Sequence, residues 1–309
     1  MPDATVIAHI SDLHMTPLAG FTPRHWNVKR TLGLLNWHRG RKAVHRREVV
    51  DALVDDMRAF APDHIAVTGD LCNIGLPAEY EAALVWLEAL GDPGMVSVVP
   101  GNHDIYTRLR RHEGVETWRP YMRADEFGET LAAPPGRRGF PYVRRGGNVA
   151  LVGVNSAIET RPFVSAGRVG GEQLARLATL LENLGASGLA RVVMIHHPPL
   201  PGQASANRGM ADAHAVEAVL QRHGAELVVH GHMHRDSLVW CEGGDVRVPV
   251  LGIASGSAAN HHKGEPLGRY NLIRVRKHDG AWCIEVIGRG LTAGGTDVVE
   301  LDRVHLTPC

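Results

Sequence analysis

The sequence predicts an α/β protein in which two β-sheets pack face to face and are flanked by helices, and three observations predict it. Apolar, β-rich runs alternate with helix-periodic segments as far as about residue 230. After that, strand follows strand to about residue 287, which fits two packed sheets better than one singly wound sheet. Finally, 309 residues with 44% hydrophobic and 21% charged content suit one large globular domain with room for insertions.

The first strand is expected over 4–10, ending at Ser11. Between His14 and Glu48 there is no acidic residue, whereas Arg24, Lys29, Arg30, Arg39, Arg41, Lys42, Arg46 and Arg47 are all basic. Phe21, Trp26, Leu32, Leu34, Leu35 and Trp37 are interleaved with them. This stretch, about 16–44, is expected to be a basic flap beside the first motif. One reading has residues 21–47 gripping a phosphate-rich or lipid-linked substrate, or resting on an anionic membrane surface. The blander reading is a solvated face with tryptophans packed beneath it. Stacking of a nucleobase on the aromatics is a third.

A helix is expected from about Val44 to Phe60, because Val49, Val50, Leu53, Val54 and Met57 form an apolar stripe. Strand 64–68 follows, then a helix over 77–90, with Pro77 in its first turn and Gly91 just past its end. Strand 95–99 leads to an irregular, arginine-rich excursion over about 105–138 that contains Arg108, Arg110, Arg111, Arg119 and Arg123. Further strands are expected near 140–144 and 149–154, a helix near 171–184, strand 191–195, a helix near 212–222 and strand 226–230. Short β segments at 237–240, 246–253, 269–276 and 282–287 close the pattern. A late Gly/Ser/Ala loop with Gly256, Asn260, His261 and His262 reads more readily as surface than as part of a site.

Formal net charge is zero, so no global field selects nucleic acid or membrane, and no stable nucleic-acid partner is expected. Cys72, Cys241, Cys283 and Cys309 are isolated and lack zinc-finger or disulfide-framework spacing. No uninterrupted apolar run approaches the ~20 residues of a membrane-spanning helix. The N-terminus enters a strand without a secretory pattern, so a soluble cytoplasmic protein is expected, with peripheral contact at the inner membrane face as the flap's alternative.

Five short motifs each fall where an apolar run stops: Asp12-Leu13-His14, Gly69-Asp70, Gly101-Asn102-His103-Asp104, His196-His197 and Gly231-His232-Met233-His234. Buried strands of a layered α/β protein end at one rim, where side chains from different strands can converge. An Asp-x-His pair past a strand end can aim both groups at one metal ion. Asp70 offers two oxygens, as a bridge between two cations ~3.5–4 Å apart requires. Asn102 offers a neutral amide oxygen, His103 a proton donor, and Asp104 a carboxylate able to hold the imidazole's tautomer. Of the adjacent His196 and His197 only one is expected to face the site. The His232/His234 pair permits one histidine per ion or both on one. Taken singly, each motif is also explained as a turn or helix cap; their joint position at strand ends is what favours a site.

These residues resemble the calcineurin-like metallophosphoesterases, whose pattern DxH, GD, GNH(D/E), H and GHxH is present complete and in order from Asp12 to His234. The resemblance implies an α/β/β/α sandwich of two mixed sheets with a dinuclear site at the strand ends, in a single domain over 1–309. It also implies Asp12, His14, Asp70 and His234 on one ion, and Asp70, Asn102, His196 and His232 on the other. His196 is chosen over His197 by the family's histidine-x-proline pattern. His103 would contact the phosphate and protonate the leaving oxygen, with Asp104 behind it. The mixed oxygen and imidazole donors suit Mn, Fe or Zn better than Mg or Ca. A hydroxide held between the ions would attack phosphorus in line.

An anionic phosphoester substrate is therefore expected, and hydrolysis of a diester such as a cyclic nucleotide or glycerophosphodiester ranks first, by resemblance to the bacterial phosphodiesterase branch. Pyrophosphate cleavage in a nucleotide-linked lipid such as UDP-diacylglucosamine ranks second, on the strength of the flap. Phosphomonoester or phosphoprotein hydrolysis ranks third. A non-catalytic binding scaffold ranks last, because every ligand position and the acid are filled. A homodimer is compatible with the resemblance.

Overall fold

The computed structural model describes residues 4–15, 18, 20–109, 112–131, 139–244, 246–262, 264–295 and 297–306. Arg110, Arg111 and Cys309, singled out above, lie outside them. The elements run β1 (Thr5–Ile10), α1 (Val28–Asn36), a π-helical turn (Trp37–Arg41), α2 (Lys42–Val44), α3 (Arg47–Ala59), β2 (His64–Val67), α4 (Pro77–Leu90) and β3 (Val96–Val98). A 3-10 segment (Gly114–Tyr121) and α5 (Glu126–Thr130) precede β4 (Tyr142–Gly146), β5 (Val149–Gly153), α6 (Gly171–Gly185), β6 (Ala190–Met194), α7 (Ala213–His223) and β7 (Leu227–His230). Five strands follow: β8 (Ser237–Gly243), β9 (Val246–Gly252), β10 (Arg269–His278), β11 (Ala281–Leu291) and β12 (Val298–His305).

They form two mixed six-stranded sheets, ordered β12-β11-β10-β1-β2-β3 and β4-β5-β6-β7-β9-β8. The period of two along each strand separates the layers. In the second sheet Val149, Leu151, Val192, Met194, Leu227 and Val229 join the core shared with the first sheet. Their alternates Ala150, Val152, Val193 and Val228 pack with Leu174, Leu177, Leu181, Val216 and Leu220 of α6 and α7. The α3 stripe of Val49, Val50, Leu53, Val54 and Met57 is buried as its spacing predicts, and α3 packs on β10 and β12. The α/β/β/α sandwich is therefore observed.

Sequence reasoning missed α1 and the π-helical turn in the flap, the 3-10 and α5 segments of the 105–138 excursion, and β12. All are short, or, like β12, mostly exposed, so their burial period is weak. The flap is mainly helical, and its basic residues do not form a uniform solvated face. Arg30 is buried and donates to the carbonyls of Ile74 (3.3 Å) and Gly75 (2.9 Å). Lys29 Nζ donates to Tyr106 O (3.0 Å) and Thr160 Oγ1 (2.9 Å). Trp37 is buried, while Trp26 stays 65% exposed.

The parallel pairs β1–β2–β3 and β5–β6–β7–β9 align so that their C-terminal ends are level, for example Ile10 with Val67 and Val67 with Val98. At the opposite end, His64 is buried against Ser97 (Nε2 to Oγ 2.8 Å). Burial and nearby Arg144 hold it down at about 3, so it folds neutral. Between that value and the ordinary 6.5, the unfolded chain binds a proton at this position that the folded chain does not. Stability should therefore fall as pH drops through this window, by ~1.4 kcal/mol per pH unit for this residue. Urea unfolding at pH 6 and pH 4.5 should show a slope shallower by that amount in His64→Gln; an unchanged slope would mean that the folded histidine is charged.

Candidate metal centre

The loops beyond the strand ends are laced together before any side chain is considered. Asp12 N donates to Gly69 O, His14 N to Asp70 O and Gly231 N to His196 O, at 2.9, 2.9 and 3.1 Å. The two sheets are joined at this rim: Gly256 N donates to Ser11 O (2.8 Å), and Ser255 Oγ donates to Asp12 O (2.6 Å). Asp12, His14, Asp70, His232 and His234 all have positive φ, between 41° and 68°. Each such residue costs on the order of 1 kcal/mol or more, and clustering of this strain marks a functional rim. Gly69 and Gly101 permit the crossing of the loops, because a Cβ on Gly101 would collide with the Asp70 carboxylate.

The structure brings all seven expected ligands to one place. Asp12, His14 and His196 are fully buried, and Asp70, Asn102 and His232 are at most 5% exposed. Asp70 Oδ1 accepts the His103 amide (2.7 Å), leaving Oδ2 3.9 Å from His14 Nε2 and 3.5 Å from His196 Nε2. That oxygen stands between the two halves of the cluster. His196 Nε2 also lies 3.2 Å from Asn102 Oδ1, and His234 Nε2 lies 3.2 Å from both Asp12 Oδ1 and His14 Nε2.

The outer partners set the tautomers. Nδ1 of His14 faces Cys72 O (3.1 Å), Nδ1 of His196 faces Thr68 O (2.6 Å), and Nδ1 of His234 faces Glu265 Oε2 (3.2 Å). A carbonyl or carboxylate oxygen can only accept, so each Nδ1 carries hydrogen and each Nε2 is left for the interior. His232 is reversed: Nε2 donates to Arg208 O (2.8 Å), which leaves Nδ1 for the interior. His197 has both nitrogens engaged, with Ser156 Oγ (2.8 Å) and Ser165 O (3.0 Å). His196 is thus the member of the pair free to face the site.

Electrostatics agree with a cation-binding cluster. Burial opposes ionisation of Asp12 and Asp70, but His234 beside the first and His196 beside the second hold both carboxyls below their ordinary range. Burial likewise opposes charging of His196 and His234, yet Asp70 and Asp12 raise them to about 9. Burial and Arg41 hold His14 well below the usual imidazole value, and burial and His197 do the same for His232. Asp12 Oδ1 is buried and has no aligned hydrogen-bond donor. Converging carboxylate and amide oxygens and ring nitrogens fit a pair of metal ions, whose binding would displace the protons of His196 and His234.

One expected role is corrected. Asp104 does not stand behind His103; its carboxylate accepts the backbone amides of Asp70 (2.7 Å), Cys72 (2.9 Å) and Gly101 (2.8 Å). The tetrapeptide turns back on itself, so consecutive side chains diverge and Asp104 clamps the two loops. His103 Nδ1 is oriented instead by Asn73 O. Its ring stacks on Tyr106, with centroids 5.4 Å apart.

Sequence reasoning passed over His45, Arg208 and Glu265, and did not single out Arg41 within its basic run. All four line a cleft of about 250 Å³ with Asp70, Asn102, His103, His232, His234 and His262. The His45 ring lies 4.6 Å from that of His14 and its Nδ1 is 2.8 Å from Ser257 Oγ. Spacing of i, i+4 across one helical turn relates Arg41 to His45 and is the only local signal among these residues. The late loop does reach the cleft, through His262 and Glu265. Arg108, Arg119 and Arg123 are exposed, and none of them lines it.

Comparison with known proteins matches residues 5–236 to the family described as Calcineurin-like phosphoesterase. A protein of Synechococcus sp. named "Probable cyclic nucleotide phosphodiesterase" is 28% identical over 187 residues, which is 60% of this chain and 62% of that protein. The match thus spans less than two thirds of the relative's length. Among solved structures, a dimetal phosphatase from Danio rerio has a TM-score of 0.59 at 14% identity, covering 98% of both chains. The purple acid phosphatase PPD1 from yellow lupin (Lupinus luteus) seeds has a TM-score of 0.56 at 13% identity, covering 99% of this chain and 54% of that one. These two likenesses show the fold.

Proposed function

This chain belongs to the calcineurin-like phosphoesterase family, and from that premise we propose that it is a dinuclear metal-dependent phosphodiesterase of small diesters such as cyclic nucleotides or glycerophosphodiesters. The family implies a metal-dependent phosphoester hydrolase; the diester preference is the finer step. The observation that carries the reading is the convergence of seven oxygen and imidazole donors from two sheets beneath one small cleft.

Asp12, His14, Asp70 and His234 would hold one ion and Asp70, Asn102, His196 and His232 the other, with Mn, Fe or Zn suited to the donor set. When bound, the ions neutralise phosphate charge and acidify a water molecule. The protein's own groups do the rest. Thr68 O, Cys72 O and Glu265 fix the imidazole planes. Asp104 holds the 69–72 and 101–104 loops in register.

His103 presents Nε2 to the cleft as the proton donor to the departing oxygen. Burial and Arg41 hold it down at about 4, so it is neutral until an anionic phosphate enters. The phosphate's negative charge is what allows the ring to take up a proton there.

The Synechococcus relative's name supports a diester. A second reading, pyrophosphate cleavage in a nucleotide-linked lipid, is favoured by apolar Trp26, Val28 and Leu35 on the flap, which are 65%, 58% and 45% exposed. No described helix is long and apolar enough to cross a membrane.

The deciding experiment compares bis(p-nitrophenyl) phosphate with p-nitrophenyl phosphate on metal-stripped protein resupplied with Mn²⁺. Diester turnover that requires both Mn²⁺ and Asn102, tested as Asn102→Ala, is the expected outcome. Inactivity on both compounds with two ions bound per chain would favour the pyrophosphate reading. Activity independent of metal would sink the proposal.

A further inference from the structure

We propose that Arg41 is a phosphate-contacting residue of this site, delivered by the flap and acting beside His103; the inference rests on the phosphoesterase reading above. Arg41 closes the π-helical turn Trp37–Arg41. Its Nη1 donates to His103 Nε2 (3.3 Å) and its Nη2 to His14 Nε2 (3.0 Å). Both ring nitrogens are acceptors, because their Nδ1 atoms are turned to the carbonyls of Asn73 and Cys72. Among the described residues, no carboxylate oxygen forms an ion pair with this guanidinium.

A guanidinium is a planar fork that matches phosphate oxygens in a bidentate fashion, and two neutral imidazoles are poor partners for it. Were the His14 ring nitrogen to hold a metal ion, its lone pair would no longer be open to Nη2. Arg41 would then have a free donor in the wall of the cleft, next to the ring that is to protonate the leaving oxygen. An anionic phosphate is the acceptor that answers both.

Placement of the guanidinium is built into the fold. Trp37, in the same turn, is 4% exposed and anchors it. Arg30 and Lys29 tie α1 to the 74–75 backbone, to Tyr106 O and to Thr160. His45, one turn on, is tied to Ser257 on the other sheet's rim. The flap is therefore fastened to the same loops that carry Asn102 and His103.

The test uses the full chain loaded with Mn²⁺ and inorganic phosphate as the probe, with affinity read by calorimetry and by competitive inhibition of diester turnover. Arg41→Ala should weaken phosphate about 10- to 100-fold. It should raise KM for the diester in parallel, with two ions per chain retained by elemental analysis. Arg41→Lys, which keeps the charge and loses the fork, should recover part of the affinity and guards against a folding defect in the alanine variant. Unchanged phosphate affinity in both variants overturns the inference. So does loss of bound metal with normal phosphate affinity at the sites still loaded, which would assign Arg41 to positioning His14. If Asn102→Ala abolishes turnover while the Arg41 variants bind phosphate normally, only this inference falls. If Asn102→Ala is also without effect, the phosphoesterase reading falls with it.

Discussion

Asp70→Asn is expected to lower kcat/KM for a small phosphodiester by roughly 10²- to 10³-fold, on the scale of removing a central charge-stabilising group from an active site. It is also expected to reduce bound metal below two ions per chain. The substitution is nearly isosteric, and its amide oxygen can still accept the His103 N–H that Asp70 Oδ1 accepts at 2.7 Å. What it removes is the charge of the other oxygen, which lies 3.5 Å from His196 Nε2 and 3.9 Å from His14 Nε2. Elemental analysis after dialysis, together with turnover at saturating Mn²⁺, checks both parts. Full metal content with near wild-type turnover would refute the bridging role.

His103→Ala is expected to cost about 10²- to 10⁴-fold in kcat for substrates with alkoxide leaving groups, the usual range for loss of a positioned acid. On bis(p-nitrophenyl) phosphate the loss should be much smaller, because p-nitrophenolate departs without a proton. The contrast separates the acid from the metal ligands, whose loss should damage both substrates alike. A series of aryl and alkyl diesters would show a steeper dependence of rate on leaving-group basicity in the variant. Equal loss across the series would leave His103 as a phosphate contact alone. Arg41 sharpens the expectation, since it touches Nε2 in the free protein and must release it for proton transfer.

The strands and long helices were legible because burial imposes a period on local sequence. The run Val49, Val50, Leu53, Val54, Met57 has no simpler explanation than one face of a helix, and it is the buried face of α3. Residues placed directly past strand ends were legible for a related reason: a strand's direction carries its final side chains to the rim. Flap elements were less so. In α1 only Arg30 is buried while Val28 and Leu35 stay exposed, so its apolar residues do not mark a buried stripe.

By itself, then, the sequence determined the strand and helix runs and the motifs that stop them, including each of Asp12, His14, Asp70, Asn102, His196, His232 and His234. Local spacing can do this much, since each motif needs only its own strand. Tertiary structure alone decided that Asp104 clamps backbone amides while Asn73 O orients His103, that Glu265 holds His234, and that Arg41 turns inward over the cleft. Those outcomes depend on contacts between residues far apart in the chain: Asp104 with Asp70, Glu265 with His234 and Arg41 with His103 are separated by 34, 31 and 62 positions. A hydrogen bond across such separations leaves no period in the sequence, because its energy arises only after distant strands have paired and their loops meet at the rim.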